Sequence, residues 1–456
     1  MPESILALIG NTPLVQVRSF DTGPCELYLK LECQNPGGSI KDRIGLSMIE
    51  AAERSGELRP GSTLVEATAG NTGLGLALVA AQKGYPLILV VPDKMSREKI
   101  LHLVALGADV RITRSDVGKG HPQYYQDMAQ RIAGETPGAY FVNQFGNPAN
   151  PWAHETTTGP EILRQMDGRV DAIVCGVGSS GTITGLSRFF ARESPATRLV
   201  IADPVGSVLA DYIHTGTLGT AGSWAVEGIG EDFIPSIADL SRVTHAYSIP
   251  DAESMLTARA LLRQEGILGG SSSGTLLAAA LRYCREQTEP QRVVTFVCDS
   301  GAKYLSKTYN DAWMLERGFL EREHVGDLRD LIVRRHDAGL TVTVLSDDSL
   351  LTAYNRMRSV DVSQLPVVDE ANRIIGIVDE FDLLQVVRRD DAAEQFRRPV
   401  STAMSTQLET LAPDAGLDAL FAVLDAGHVA IIVENDAFLG LITRVDLLNA
   451  LRTRML

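Results

Sequence analysis

Residues 35–43 read NPGGSIKDR, and they set a lysine where a glycine-rich loop turns into a helix. Beyond the loop, Ile40, Ile44, Met48 and Ile49 recur at helical spacing, which predicts a helix from about Ser39 to Gly56 with one apolar side. Lys41 falls in its first turn. The amino end of a helix carries partial positive charge and favours Asp or Glu by about 0.3–1 kcal/mol. An ammonium group is therefore out of place there, and the same setting lowers the lysine pKa toward the neutral amine.

Outward from this loop, residues 60–300 alternate short apolar runs with helical patterns. The runs are STLVEAT (62–68), PLILVVP (86–92), ADVRIT (108–113), DAIVCGV (171–177), RLVIAD (198–203) and RVVTFVCD (292–299). Continuous apolar strands without strict alternation suit a parallel sheet covered on both faces. Ligands of such sheets sit at the carboxyl ends of strands, in loops that lead into helices. Three loops rich in Gly, Ser and Thr resemble that setting: ATAGNTG (67–73), GVGSSGT (176–182) and GGSSSGT (269–275).

GVGSSGT admits two readings. Gly176, Gly178 and Gly181 fit GxGxxG after a strand, and Asp203 follows 22 residues later, the outline of a dinucleotide fingerprint and a nicotinamide dehydrogenase. Backbone amides and hydroxyls at a helix start bind a monoester phosphate as readily as a pyrophosphate. The hydroxyls of Ser179, Ser180 and Thr182 suit the many acceptors of a terminal phosphate. Lys41 separates the readings. Hydride transfer needs no lysine in a tight loop, whereas an aldehyde cofactor with a terminal phosphate is carried on one as a Schiff base.

NPGGSIKDR, ATAGNTG and GGSSSGT, in this order, resemble the β-family, or fold type II, of pyridoxal-phosphate enzymes, which includes cysteine synthases and cystathionine β-synthases. The resemblance spans residues 4–315, beginning with IGNTPLV. It implies an α/β catalytic domain with parallel or mixed sheets flanked by helices, and pyridoxal 5'-phosphate as cofactor. It makes Lys41 the Schiff-base lysine and the base for the substrate α-proton. By the same resemblance Asn71 bonds the cofactor's ring hydroxyl, and Gly178, Ser179, Ser180, Gly181 and Thr182 cradle its phosphate. Ser272 then faces the pyridine nitrogen. A neutral hydroxyl does not hold that nitrogen protonated, which weakens the electron sink and favours loss and replacement of a β-substituent. Thr68, Ala69, Gly70 and Thr72, with Gln144 nearby, would clasp the substrate carboxylate, although Thr68 and Thr72 also read as helix caps. EGIGEDFIP (227–235) resembles an active-site loop, with Gly228 and Gly230 permitting close backbone approach. The chain departs from the family at Ala69, where serine is common, and at Phe145 and Glu231, where some cystathionine β-synthases have tyrosines. Its cradle GSSGT is also less glycine-rich.

The character changes after residue 320. LPVVDEANRIIGIVDEFDLL (365–384) matches VAIIVENDAFLGLITRVDLL (429–448), with Gly376 and Gly440, and Asp382 and Asp446, 64 residues apart. Two copies of a strand–strand–helix unit bury their faces on one another. They resemble a tandem pair of CBS-type modules of the Bateman kind. The expected layout is a catalytic domain at 1–320, a linker at 321–334 and repeats at 335–394 and 395–456. In such modules an Asp at the last helix holds a ribose, with a hydroxyl three residues before it. Thr443 and Asp446 keep that pair, so an adenosine-type effector is expected there. In the first copy Asp379 replaces the hydroxyl and disfavours a nearby phosphate. Both aspartates also read as helix caps.

The pair of modules points to cystathionine β-synthase within the family, joining L-serine and L-homocysteine. Cysteine synthase, acting on O-acetylserine and sulfide, is the alternative; an adenosine sensor with an inactive catalytic half is a more distant one. No haem is expected, since the motifs begin near residue 4. A net charge of −15 speaks against nucleic acid and anionic membranes as partners. No apolar run of spanning length and no secretion signal is present, and five cysteines without CxxC spacing suit a reducing cytoplasm. Eight scattered histidines without HExxH give metal catalysis no support. The family implies a homodimer or a higher homo-oligomer.

Overall fold

The computed structural model describes residues 3–68, 70–321, 324–388 and 391–453 of the chain. It divides into two compact units, residues 1–313 and 314–456.

The first unit holds ten strands: β1 (Leu14–Gln16), β2 (Glu26–Lys30), β3 (Thr63–Ala67), β4 (Leu87–Pro92), β5 (Asp109–Thr113), β6 (Ala139–Phe141), β7 (Ala172–Gly176), β8 (Arg198–Pro204), β9 (Val243–Ile249) and β10 (Arg292–Phe296). They form two sheets, as the expected parallel or mixed sheets of the catalytic domain require. One has the order β5-β4-β3-β6 and is wholly parallel. The other has the order β1-β2-β10-β7-β8-β9 and is parallel except at β1–β2. The expected strands all occur, divided between the sheets. Hydropathy marks a buried strand but not its partner, so that division had no signal.

The lysine-bearing helix, α1, runs Lys41–Ser55, with Ile44, Met48 and Ile49 fully buried. Gly56, at φ +79°, ends it in the left-handed conformation that glycine adopts without strain. α2 (Asn71–Lys83) follows β3 and crosses α1 backbone against backbone. A Cβ on Gly75 would lie 2.6 Å from the Lys41 carbonyl oxygen, and one on Gly45 would lie 2.7 Å from the Gly75 carbonyl carbon. These two glycines bring the amino ends of α1 and α2 together.

The second unit repeats one design. Strands β11 (Val344–Leu345), β12 (Gln364–Val368) and β13 (Ile374–Asp379) form one small sheet; β14 (Thr410–Leu411), β15 (Ala430–Glu434) and β16 (Ala437–Ile442) form the other. In each, the first pair is parallel, the second antiparallel, and the register shifts at the same place. Gly376 and Gly440 are the repeat's matched glycines, and both lie against neighbours with no room for a side chain. An added Cβ would meet Met404 Sδ at 2.8 Å in the first and Ile332 at 2.4 Å in the second. Val368 of one copy packs with Ile431 and Phe438 of the other. Among the described residues, no helix is long and apolar enough to cross a membrane.

Candidate active site

A cavity opens at the carboxyl ends of β7 and β10. Lys41, Asn71, Thr182, Gly228 and Ser272 all line it, although they are far apart in sequence. Cys175, Phe296 and Cys298 complete its floor beside the lysine.

Lys41 is the first residue of α1. Its pKa is lowered from the ordinary lysine value, and burial rather than the helix end is the leading cause. The nearby Cys298, Asp299, Glu231 and Cys175 offset part of that effect. Asp42 supplies the acid that the helix end favours, and its carboxylate accepts the Gly37 N–H to close the glycine loop. Arg43 is buried next to it and neutralised on both sides, by Glu32 at 2.8 Å and Glu161 at 2.7 Å.

The loop 178–182 leads into the helix Gly181–Glu193. Ser180 sits at its start with φ +68° and makes no cap, and its buried hydroxyl has no hydrogen-bond partner among the described residues. Ser179 and Ser180 are buried at 5% and 3% exposure, so these hydroxyls face inward. Gly178 lies so close to the 227–231 loop that a Cβ would sit 2.8 Å from the Gly228 carbonyl oxygen. Gly228 and Gly230 take φ values of +89° and +86°, and Gly230 N–H donates to Val177 O at 2.8 Å. An orphaned hydroxyl, a free helix start and a loop without side-chain bulk form a cradle that suits a phosphate. With Lys41 and Asn71 on the same cavity, the residues fit pyridoxal phosphate.

The expected carboxylate clasp lies beside the cavity wall. Thr68 Oγ1 accepts the N–H groups of Gly70 and Gly73, both at 3.1 Å, and so caps the start of α2. Thr72 Oγ1 donates to Gln144 Oε1 at 2.7 Å, and Gln144 Nε2 donates to Ala67 O at 2.9 Å. Thr68, Thr72 and Gln144 thus form one buried cluster, while Ala69 lies outside the described residues. Beneath it, the Glu66 carboxyl accepts from Ala67 N and Gln144 N, and burial pushes its pKa up to about 8.

Several residues around the site had no sequence signal. Asn71 donates to Asp299 Oδ2 at 2.7 Å and accepts from Lys303 Nζ at 3.1 Å, so its amide orientation is set. Tyr304 OH donates to the same Asp299 oxygen at 2.6 Å and accepts from Lys99 Nζ, which pairs with Glu227 at 2.7 Å. Burial lowers the Lys303 pKa to about 8, against the pull of Asp299 and Asp42. His154 Nε2 lies 3.3 Å from Thr182 Oγ1, and burial, with Lys41 and Arg43 nearby, keeps it well below the usual histidine range. Asn150 bonds the cradle directly, donating to Ser179 Oγ at 3.0 Å. DSGAKY carries Asp299, Lys303 and Tyr304, and NPANPWAH carries Asn150 and His154; neither stretch has a spacing that distinguishes it from turn chemistry.

In the second unit, Thr443 N–H and Oγ1–H both donate to Asp446 Oδ2 at 2.7 Å. Asp379 and Asp382 form the matching capping box in the first copy. Asp382 and Asp446 thus each sit in the third helical position and accept the N–H of the residue that caps the helix, Asp379 or Thr443. Among the described residues there is no group of three or more His, Cys, Asp or Glu placed to hold a metal ion.

Comparison with known proteins agrees with this geometry. A family profile described as "Pyridoxal-phosphate dependent enzyme" matches residues 5–299, and the CBS domain profile matches 329–389 and 400–453. The fold and site define a pyridoxal-phosphate-dependent enzyme of fold type II with a tandem pair of CBS domains. A cystathionine beta-synthase from Oryctolagus cuniculus is 37% identical over 99% of this chain and 85% of its own length. One from Dictyostelium discoideum is 36% identical over 98% of this chain and 92% of its own. The crystal structure of an O-acetylserine dependent cystathionine beta-synthase from Helicobacter pylori is 35% identical, with a TM-score of 0.63, over 67% of this chain and 98% of that one. The chain belongs to the cystathionine β-synthase family.

Proposed function

We propose that this enzyme joins L-serine and L-homocysteine into L-cystathionine, releasing water, by β-replacement at the cavity beside Lys41. The single observation that carries the reading is a lysine with a lowered pKa on the same cavity as Asn71, Thr182 and Ser272. Bound pyridoxal phosphate would supply the electron sink for the substrate α-carbon. Gly178, Ser179, Ser180, Gly181 and Thr182 would grip its phosphate, and Asn71, fixed by Asp299 and Lys303, would meet its ring hydroxyl. Ser272 would face the ring nitrogen with a neutral hydroxyl. Lys41 Nζ, its pKa lowered by burial, would anchor the cofactor and take the substrate α-proton. Thr68, Gly70 and Thr72, with Gln144, would orient the substrate carboxylate at the start of α2, where the helix end favours an anion. The loop with Gly228 and Gly230 would let the backbone approach the substrate closely.

A second reading concerns the donor. The Helicobacter relative is named for O-acetylserine, and a Fusobacterium nucleatum structure described as a hydrogen sulfide-producing enzyme is 36% identical over 67% of this chain. Steady-state rates with serine or O-acetylserine, each against homocysteine or sulfide, separate the two; a preference for O-acetylserine and sulfide overturns the serine reading. Lys41→Ala should lose both turnover and the visible absorbance of lysine-bound cofactor. Full turnover in that variant refutes the assignment.

An adenosine-type effector at Thr443 and Asp446 would have to share Asp446 with the helix cap. Titrating the full chain with nucleosides, with Asp446→Ala as control, tests it. A homodimer is read by sedimentation. All five cysteines are free, which supports a cytoplasmic location.

A further inference from the structure

We propose that Asn150 is a positioning residue that ties the phosphate cradle to the carboxylate clasp, so that filling either site tightens the other. The inference rests on the function proposed above and adds a coupling between its two binding loops.

Asn150 is fully buried in the short helix Ala149–Ala153. Its side-chain nitrogen has two hydrogens, and both are used. One goes to the Gln144 carbonyl oxygen at 2.8 Å, the other to Ser179 Oγ at 3.0 Å. The assignment of nitrogen and oxygen is chemically required, since a carbonyl only accepts. The remaining Oδ1 has no partner among the described residues and lies against Gly181, where an added Cβ would come within 1.7 Å of it.

Each bond has a consequence at a different site. The first fixes the main chain of Gln144, whose side chain joins Thr72 to the end of β3. The Asn150 bond thus adds to the Glu66 and Ala67 bonds that hold Gln144, and through it Thr72, in the clasp. The second bond makes Ser179 Oγ an acceptor. Its own proton is then free to be donated to an anion in the cradle, and the buried hydroxyl is oriented before the anion arrives. A single primary amide thus serves both loops. A shift of one loop moves the amide, and the amide moves the other loop. Coupling of this kind is reciprocal.

The test uses the full-length chain. Stripped enzyme is titrated with pyridoxal phosphate by visible absorbance, alone and with glycine, an amino-acid carboxylate without a β-substituent to lose. The KM for L-serine is then measured at saturating cofactor. In the wild type, glycine should lower the cofactor Kd. In Asn150→Ala, loss of one hydrogen bond to each loop should raise the cofactor Kd and the serine KM by about five- to tenfold each, and the glycine effect should vanish. Asn150→Asp fills the same volume and carries the test if the alanine variant does not fold. It removes both donors and sets a carboxylate beside the cradle, so its cofactor Kd should rise further.

The vanishing glycine effect is what a merely structural role would leave unmoved. A raised cofactor Kd with unchanged serine KM and an intact glycine effect overturns the coupling. Should the wild type show no Lys41-dependent absorbance on titration, the functional reading fails instead.

Discussion

Replacing Glu161 with glutamine should loosen the start of α1 by a predictable, pH-dependent amount. Glu161 is 6% exposed in the helix Gly159–Gln165, where it meets Arg43 at 2.7 Å and Lys30 at 2.9 Å and accepts the Asn11 N–H. Burial alone would raise its pKa, but the bonds and charge of Arg43, with Lys30 and Asn11, hold it down at about 2, against 4.5 for an ordinary glutamate. At about 1.36 kcal/mol per pKa unit, its ionised form contributes at most about 3.4 kcal/mol to the folded state. Breaking a buried ion pair independently costs about 3–5 kcal/mol, so the two routes agree. The folded pKa is the lower one, so this stability is complete above pH 4.5 and is lost as pH falls through the folded value. At pH 3 about 1.4 kcal/mol remains by the same arithmetic. A chain of two units need not unfold in one step, so hydrogen exchange of the α1 amides is the suitable assay. At pH 7, protection in Glu161→Gln should fall by a factor of about 300, and the gap from wild type should narrow steadily on acidification. Equal protection at neutral pH, or a gap that widens in acid, refutes the reasoning.

Two further outcomes follow from other parts of the structure. Burial and Asp232 push the Glu231 pKa up to about 8, so it is neutral below that pH and gains charge above it. That charge favours the ammonium form of Lys41, so kcat/KM should fall as pH rises through about 8, and Glu231→Gln should lack that limb. Persistence of the limb in the variant removes Glu231 from the explanation. Gly440→Ala would set a methyl 2.4 Å from Ile332 at a φ of +151°, and should cost the second repeat about 1–3 kcal/mol. Faster proteolysis within 400–453, with the cofactor absorbance unchanged, is the expected result; unchanged proteolysis counts against the close contact.

What could be read from the chain alone followed from how local each feature is. α1 was expected from Ser39 to Gly56 and runs Lys41–Ser55, because its apolar period and terminal glycine lie within one helix. The repeat in the second unit was legible because Gly376 and Gly440 answer the same steric demand in each copy. The partition of strands into two sheets was not, since partners such as β2 and β10 are brought together over most of the first unit. The polar support of the site was hidden for the same reason. Asn71 and Asp299 are 228 residues apart, and Asn150 reads as loop chemistry until its nitrogen is seen between Gln144 and Ser179. Buried polar groups are chosen by partners that lie elsewhere in the sequence, and hydropathy gives them no period.

The misplaced lysine has an electrostatic answer in the treatment of its neighbours. Lys30 and Lys99 are buried, and each meets a carboxylate, at 2.9 Å and 2.7 Å. Arg43, two residues beyond Lys41, meets two. Among the described residues Lys303 bonds only carbonyl oxygens, those of Gly37, Gly38 and Asn71, and its pKa falls to about 8. Lys41 forms no ion pair among the described residues. The acid of its own helix turn, Asp42, is turned back to the Gly37 amide instead. Asp299, the carboxylate with the largest electrostatic influence on it, has one oxygen already shared by Asn71 and Tyr304. Lys30, Lys99 and Arg43 are thus each matched by a carboxylate, whereas Lys41 and Lys303 form no ion pair among the described residues. Burial without a carboxylate partner, more than the helix end itself, is how the fold keeps position 41 reactive.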